Sequence, residues 1–333
     1  MKKLKIKTKD TGKRIDVFLA TSLPDTTRSQ IQKLIKQELV TVNGQSATCH
    51  HKLKGGDIIE IGEEKKEPGL EASRPGSFFY SNSELSSGYP ELSSESANIE
   101  IIDKTKEFLI INKPAHLTVH GANHIKSITL VDLLLKKFPS LKKIGEDPAR
   151  PGIVHRLDKE VSGLMVIPRT QDSFDNIKMQ FQKRIVKKTY TALVYGAINK
   201  EADEIKFPIK RSADGFKMAA IPETNKKKIN LDGRISITEF RILKHFINYT
   251  LLQIRIKTGR THQIRVHLLA YGHPIVGDNL YNTKKTREQN TKLNLNRLFL
   301  VANKLSFTDL KGKLCEYVID LPLELTNFLK KIK

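Results

Sequence analysis

Apolar residues recur along this chain with two different periods, and the switches between them mark the elements. Ile15, Phe18, Leu19 and Leu23 fall on one stripe of a helix predicted over 13–23. Ile31, Leu34 and Ile35 repeat that spacing, and Thr26 or Thr27 can cap this second helix. Residues 40–44 read as a strand entering an Asn-Gly hairpin turn, 55–57 as another turn and 58–61 as a closing strand. Farther on, 101–112 read as two strands joined by a polar turn, and Pro114 ends the second because proline cannot continue a paired central strand. Residues 152–155 predict a short strand, 156–162 a polar loop and 163–168 a buried strand, so Asp158 is expected on a loop held between two strands. Residues 187–194 alternate like a strand. Leu252, Ile254 and Ile256 alternate with Gln253, Arg255 and Lys257. Thr258 to Arg260 then turn the chain, and Thr261 is expected to cap a helix running to about Tyr271, where Gly272 stops it.

Between the two patterned regions lies a stretch rich in Ser, Glu, Pro and Gly, with Phe78, Phe79 and Tyr80 as its only aromatic cluster. Such a composition buries too little apolar surface to offset its ordering entropy, so 63–98 is expected to be a flexible linker. This divides the chain into a small α/β module over 1–62 and a larger α+β domain over 99–333.

Charge changes the picture. The chain has 333 residues, with 58 Lys and Arg against 36 Asp and Glu, a net charge of +22. Residues 1–62 carry +6, 63–98 carry −4 and the remainder +20. A basic excess of this size points to a polyanionic partner, most often nucleic acid. No apolar run reaches the roughly 18–20 residues of a membrane span. The basic head at Met1 has no apolar stretch behind it, so a secretory leader is not expected. Two cysteines, Cys49 and Cys315, are too few for a disulfide framework or a cysteine zinc site and fit a reducing cytosol. The expectation is a cytoplasmic protein with no membrane contact, a monomer, and a binder of RNA or DNA.

Candidate chemistry starts with Asp158, which reads either as a turn aspartate or as a carboxylate aimed into a cleft. Tyr190 is either a core residue or a flat surface on which a base can stack. His262 and Arg265 are three apart and share a helical face. His262 and His267 are five apart, about 140° round a helix, which excludes paired chelation of a metal, and no metal site is expected. Arg28, Gln32, Lys33 and Lys36 form one polar face of the second helix, a row suited to phosphates.

Residues 27–36 (TRSQIQKLIK), then VTVNG and LKGGDIIEI, resemble the RNA-binding domain first seen in small-subunit ribosomal protein S-four. Glu38 stands where that domain usually has Gly. Residues 152–164 (GIVHRLDKEVSGL) look like the signature of the large-subunit-RNA type of pseudouridine synthase, commonly called the RluA family. NKPAHLTVH at 112–120, KKTYTAL at 187–193 and GRTHQIRVHLLAYGHPIVGDNLY at 259–281 resemble its other blocks in the same order. Val161, His116 and Gly121 depart from it, standing where Thr, Gly and Pro are usual.

The resemblance implies a catalytic domain over 99–333 with a mixed, largely antiparallel sheet flanked by helices and a central cleft. It implies conversion of uridine to pseudouridine in structured RNA, chiefly 23S ribosomal RNA, with transfer RNA as the other option. It implies that Asp158 is the catalytic aspartate, Tyr190 stacks on the target base and Arg265 pairs with Asp158. It also implies that Arg156 helps push the uridine from its stack, that Ile264 packs at the site, and that Arg260 and His262 bind substrate. No cofactor is expected, because the reaction gains and loses no atoms. The rival readings are a base-excising glycosylase and a non-catalytic RNA-binding or ribosome-assembly factor.

Overall fold

The computed structural model describes residues 2–6, 8–23, 31, 34–35, 39–48, 51–62, 99–121, 127–212, 217–222 and 233–332. The expected linker, its aromatic cluster, Glu38, and the four RNA-binding candidates Arg28, Gln32, Lys33 and Lys36 lie outside the described residues. The chain divides into two compact units, with the division at Phe79–Tyr80.

In the first unit, helix α1 (Ile15–Ser22) buries Ile15 and Leu19. Ile31 and Ile35 join them in one small core with Val40, Val42, Leu53 and Ile59. Strands β2 (Val40–Val42), β3 (Gln45–Ser46) and β4 (Ile58–Ile61) form as expected. Asn43 and Gly44 both have positive φ, as a tight two-residue hairpin turn requires. Asp57 ties the two turns together: its Oδ1 accepts from Asn43 Nδ2 at 2.9 Å and its Oδ2 from the Lys54 backbone N–H at 2.7 Å. These bonds hold its carboxyl below the ordinary aspartate range. A further strand, β1 (Lys2–Lys5), pairs antiparallel with β4, giving the order β1-β4-β2-β3. The sequence reading did not anticipate β1, because one leucine among lysines shows no alternation.

In the second unit, β5 (Glu100–Lys104) and β6 (Phe108–Lys113) are the two expected strands, and the Thr105 hydroxyl accepts the Glu107 and Phe108 N–H groups at their turn. Strand β7 (Ser162–Pro168) is buried along its whole length. Strands β8 (Lys187–Tyr195), β9 (Ala202–Ile205), β12 (Thr238–His245), β13 (Tyr249–Ile256), β14 (Leu300–Thr308) and β15 (Leu314–Val318) complete the sheet. A separate hairpin joins β10 (Ile209–Arg211) to β11 (Met218–Ala220). The nine-stranded sheet runs β5-β6-β7-β14-β8-β13-β12-β9, with β15 on the other half of β14. Every neighbour pair in it is antiparallel except β7 with β14, so it is mixed and largely antiparallel as expected.

Helices cover both faces. Helix α2 (Leu130–Lys137) puts Leu130 and Leu134 into the larger core with Met165 and Ile167 of β7. Helix α3 (Gln171–Gln182) puts Ile177 against Leu164 and Val166, the alternate residues of the same strand. This explains the unbroken apolar run of β7: both of its faces are covered. Helices α4 (Gln263–Ala270), α5 (Lys284–Lys292) and α6 (Leu323–Lys331) follow. Among the described residues no helix is long and apolar enough to cross a membrane.

Two local expectations are corrected. Residues 152–155 form no strand: the ring Nε2 of His155 accepts the Val166 N–H at 3.1 Å, so a side chain takes one bond that a neighbouring strand would make. Thr261 does not cap α4. The N-cap is His262 at φ 54, and no side chain accepts the first helical N–H groups there. The turn is held from inside the helix, where Gln263 Oε1 accepts from Arg260 N–H and Thr258 Oγ1.

Candidate active site

One cleft of about 410 Å³ in the second unit collects the sequence candidates from separate stretches of chain. Arg156 and Asp158 come from the loop before β7, Tyr190 from β8, and Arg260, His262, Ile264 and Arg265 from the turn and first residues of α4. All seven line it.

The Asp158 loop is short and strongly held. Gly163, immediately inside β7, has φ 128 and lies so close to β14 that a Cβ there would sit 2.3 Å from the Ala302 carbonyl oxygen. Only glycine permits that approach. On the other side, Lys113 is wholly buried and its ammonium donates to the carbonyls of Pro114 and Leu117, both at 2.8 Å, and of Lys159 at 3.2 Å. The loop residue following Asp158 is thus tied to the end of β6. Burial pulls the Lys113 pKa from 10.5 down to about 7, against the opposing pull of Glu160 and Asp158. Arg297 donates to the Ser162 hydroxyl beside it.

Arg265 is the electrostatic hub. Its side chain is 2% exposed and its fork grips Asp278 through two bonds of 2.8 Å. Nη1 also donates to Glu160 at 3.1 Å and lies 3.9 Å from Asp158 Oδ2. The expected pairing with Asp158 is present as a long ion pair, and Arg265 has closer partners besides. Asp278 is the bidentate partner, and Asp158 stands at long ion-pair distance, beyond a hydrogen bond. Burial opposes the charge of Arg265, but Asp278, Asp158 and Glu160 outweigh it and hold its pKa above the ordinary arginine value. Asp158 keeps its own side chain 20% exposed.

Asp278 is fully buried at the surface of a strict backbone approach. Gly277 before it has φ 76, and a Cβ there would meet the Arg297 carbonyl oxygen at 2.2 Å. Asp278 Oδ1 also accepts the Leu280 and Tyr281 N–H groups. Tyr281 lies under the Arg265 guanidinium, 5.1 Å from the ring centroid. Its hydroxyl accepts the Met218 N–H at 2.9 Å and shares a hydrogen bond of 2.8 Å with His262 Nδ1. Burial lowers the His262 pKa, which favours the neutral ring.

Tyr190 and Ile264 are buried edges of the cleft. Arg156 is exposed, with Nη1 3.4 Å from His120 Nε2. Arg260 Nε is buried with no hydrogen-bond partner among the described residues, a donor available to a ligand. His267 is structural: its nitrogens meet Thr238 Oγ1 and the Phe207 carbonyl. Among the described residues no group of three or more side chains could hold a metal ion. His116, one of the departures, has φ 65, a conformation that glycine adopts freely.

Sequence reading missed Lys113, Glu160 and Asp278 as parts of the site. Each stood inside a block with other candidates. A buried lysine or aspartate announces itself only through its partners, and the deciding ones, Lys159 for Lys113 and Arg265 for Glu160 and Asp278, lie on other stretches of chain.

Comparison with known proteins bears on the family and the fold. A family model described as RNA pseudouridylate synthase matches residues 107–270, and an S4 domain model matches 13–59. An uncharacterized RNA pseudouridine synthase of Chloroflexus aurantiacus is 35% identical over 97% of this chain and 91% of its own length. Ribosomal large subunit pseudouridine synthase D of Nitrosomonas europaea is 35% identical over 81% of this chain and 69% of its own. The solved structure of human RNA pseudouridylate synthase domain containing 1 superimposes with a TM-score of 0.56 at 26% identity, over 70% of this chain and 87% of that one. With the ordered motifs, the mixed sheet and relatives of this identity in agreement, the chain belongs to the RluA family of RNA pseudouridine synthases and carries an S4 domain ahead of its catalytic domain.

Proposed function

We propose that this protein converts specific uridines of large-subunit (23S) ribosomal RNA to pseudouridine, with Asp158 as the group that acts on the sugar. The observation that carries the reading is the meeting of Asp158, Tyr190 and Arg265 in one cleft. The relatives named for the ribosomal large subunit support this RNA over transfer RNA. Residues 1–62 add RNA affinity, 63–98 tether them, and 99–333 perform the chemistry. The protein works as a cytoplasmic monomer without membrane contact.

The reaction breaks the bond from C1′ to N1 of uracil and forms one from C1′ to C5. In one route the Asp158 carboxylate attacks C1′ and N1 leaves with the bond's electrons. The base then turns, C5 displaces the carboxylate, and the C5 proton ends on N1. In the other, Asp158 removes a sugar proton and N1 leaves with the bond's electrons; after C5 has bonded to C1′, Asp158 returns the sugar proton and the C5 proton ends on N1. Both balance without a redox partner. Both need an ionised carboxylate, and the Arg265 guanidinium stands 3.9 Å from Asp158 while staying locked on Asp278. Taking the uridine from its stack costs a few kcal/mol. Stacking on Tyr190, about 1–3 kcal/mol per base, offsets much of that. Arg156 fills the vacated stack, Ile264 packs against the base, and Arg260 and His262 contact the substrate.

The test is pseudouridine mapping in total RNA with and without the protein, beside purified Asp158→Asn. That variant keeps size and removes charge. Its rate should fall by about three orders of magnitude or more, with RNA affinity near wild type. A folded Asp158→Asn protein that turns over normally overturns the mechanism. Release of free uracil would identify a glycosylase instead.

A further inference from the structure

Part of the cleft wall has no role in that reaction. His155, Phe181, Arg184 and Lys188 line the same cavity as Asp158 and Tyr190. They come from the loop before β7, the end of α3 and the start of β8. The Lys188 ammonium sits 5.7 Å from the Phe181 ring centroid and 5.8 Å from that of Tyr190. His155 stacks on Phe181, with centroids 4.6 Å apart and planes at 25°. Phe181 is therefore already covered by an imidazole and an ammonium, which leaves it poorly placed as a platform for a base.

The unmet chemistry here is donor chemistry. Among the described residues, neither Lys188 nor Arg184 has a carboxylate within ion-pair distance. Arg184 has φ 59, next to the C-cap of α3, a position that usually goes to glycine. Its backbone N–H is used by the Phe181 carbonyl, and the residue lines the cleft. His155 supplies an independent sign. Nε2 is occupied as an acceptor of the Val166 N–H, so the neutral ring carries its proton on Nδ1. That Nδ1 is buried and has no acceptor among the described residues. Burial, aided by Lys188, keeps this imidazole well below its ordinary pKa, so it stays a neutral donor.

Two cations with no ion-pair carboxylate and one buried donor with no acceptor among the described residues, beside the proposed stacking tyrosine, call for an anionic ligand rich in oxygen acceptors. We propose that Lys188, Arg184 and His155 form a phosphodiester subsite that holds the backbone phosphate flanking the target uridine. The assignment rests on the reading of Tyr190 as the stacking surface. Because Lys188 lies over that same ring, the phosphate it meets belongs to the flipped nucleotide or its immediate neighbour. The subsite anchors the strand on either side of the rotated base, so that the sugar stays beside Asp158 while the base turns.

The experiment measures binding of the full chain to purified large-subunit ribosomal RNA across a salt series. Lys188→Met keeps the stem and removes the charge. Affinity should fall about tenfold, the size expected for one charge-assisted bond, and the salt slope should drop by about one. Arg184→Met should act likewise, while Lys188→Arg should retain most of the affinity. Lys330→Met, an exposed charge on α6, is the control and should leave affinity within twofold. Thermal melts on the same preparations verify folding, and exposed Arg184 makes its variant the safer of the two. Wild-type affinity and slope in both Met variants overturn the subsite. A Lys188→Arg protein as weak as Lys188→Met also overturns it, by assigning Lys188 to packing. Turnover of the same RNA by the wild type is read separately, so failure of the uridine reading and failure of the subsite are distinguishable.

Discussion

At the scale of single residues, the site depends on charges that never touch substrate. Lys113 gives all three of its protons to main-chain carbonyls, and the Lys159 bond reaches the loop that carries Asp158. Lys113→Met fills the volume but leaves those carbonyls without their donor. Each loss costs about 1–3 kcal/mol, partly offset because an ammonium is no longer buried. We expect a net destabilisation of about 2–4 kcal/mol and at least a tenfold loss of rate, with RNA affinity within twofold. The pH dependence has a definite sign. Folding lowers the Lys113 pKa from 10.5 to about 7, so between those values the unfolded chain binds more protons than the folded one. Stability then rises with pH across that window, and the cost of burying the ammonium is felt in full below it. Wild-type unfolding free energy should therefore gain on that of Lys113→Met from pH 7 to 10. A constant difference in denaturant titrations would refute the assignment.

At the scale of elements, the one parallel pairing in the sheet decides where the loop sits. Ser162 and Gly163 of β7 face Val301 and Ala302 of β14, and then the strands part so that β14 can take β15. The Asp158 loop enters this junction directly. Gly163→Ala forces a Cβ to within 2.3 Å of a carbonyl at a φ that L-residues avoid. We expect roughly 2–5 kcal/mol of destabilisation from strain and overpacking together. Activity should be lost even below the melting transition, because β7 can relieve the clash only by moving the loop. A melt within one degree of wild type would show that the junction is looser than described. Helix α4 works by similar means. Its unusual left-handed N-cap, His262, is held by Tyr281, and its first side chain, Gln263, fastens the preceding turn.

At the scale of the whole molecule, a net charge of +22 is spread over both patterned regions, +6 over 1–62 and +20 over 99–333, with −4 between them. Phosphate contacts supply affinity that weakens steeply with salt. Deleting 1–62 should raise the RNA concentration for half-maximal rate by about tenfold or more, while the rate at saturation stays within a few-fold. A steady-state titration with each protein, at two salt concentrations, checks this. Complete loss of turnover at saturating RNA, with the remaining domain folded by its melt, would show that the first module takes part in chemistry.

How much of this was legible in the chain depends on the range of the interaction. The apolar run of 163–168 announced a strand buried on both faces, and Ile15, Leu19, Ile31 and Ile35 announced the small core, because side-chain period reports which face is covered. The motif order also brought Asp158, Tyr190 and Arg265 into one proposed site before any geometry was known. Tertiary structure alone decided what those residues touch. Arg265 grips Asp278 through two bonds and holds Asp158 only at 3.9 Å, since three carboxylates share its guanidinium and Gly277 lets the chain carry Asp278 closest. Residues 152–155 fail to form a strand because His155 supplies a side-chain acceptor to Val166. Lys113 is a tie because three carbonyls from two separate segments converge on it. Periodicity records local backbone geometry and burial. Partner choice depends on distances between segments far apart in sequence, and those exist only once the sheet has closed around the cleft.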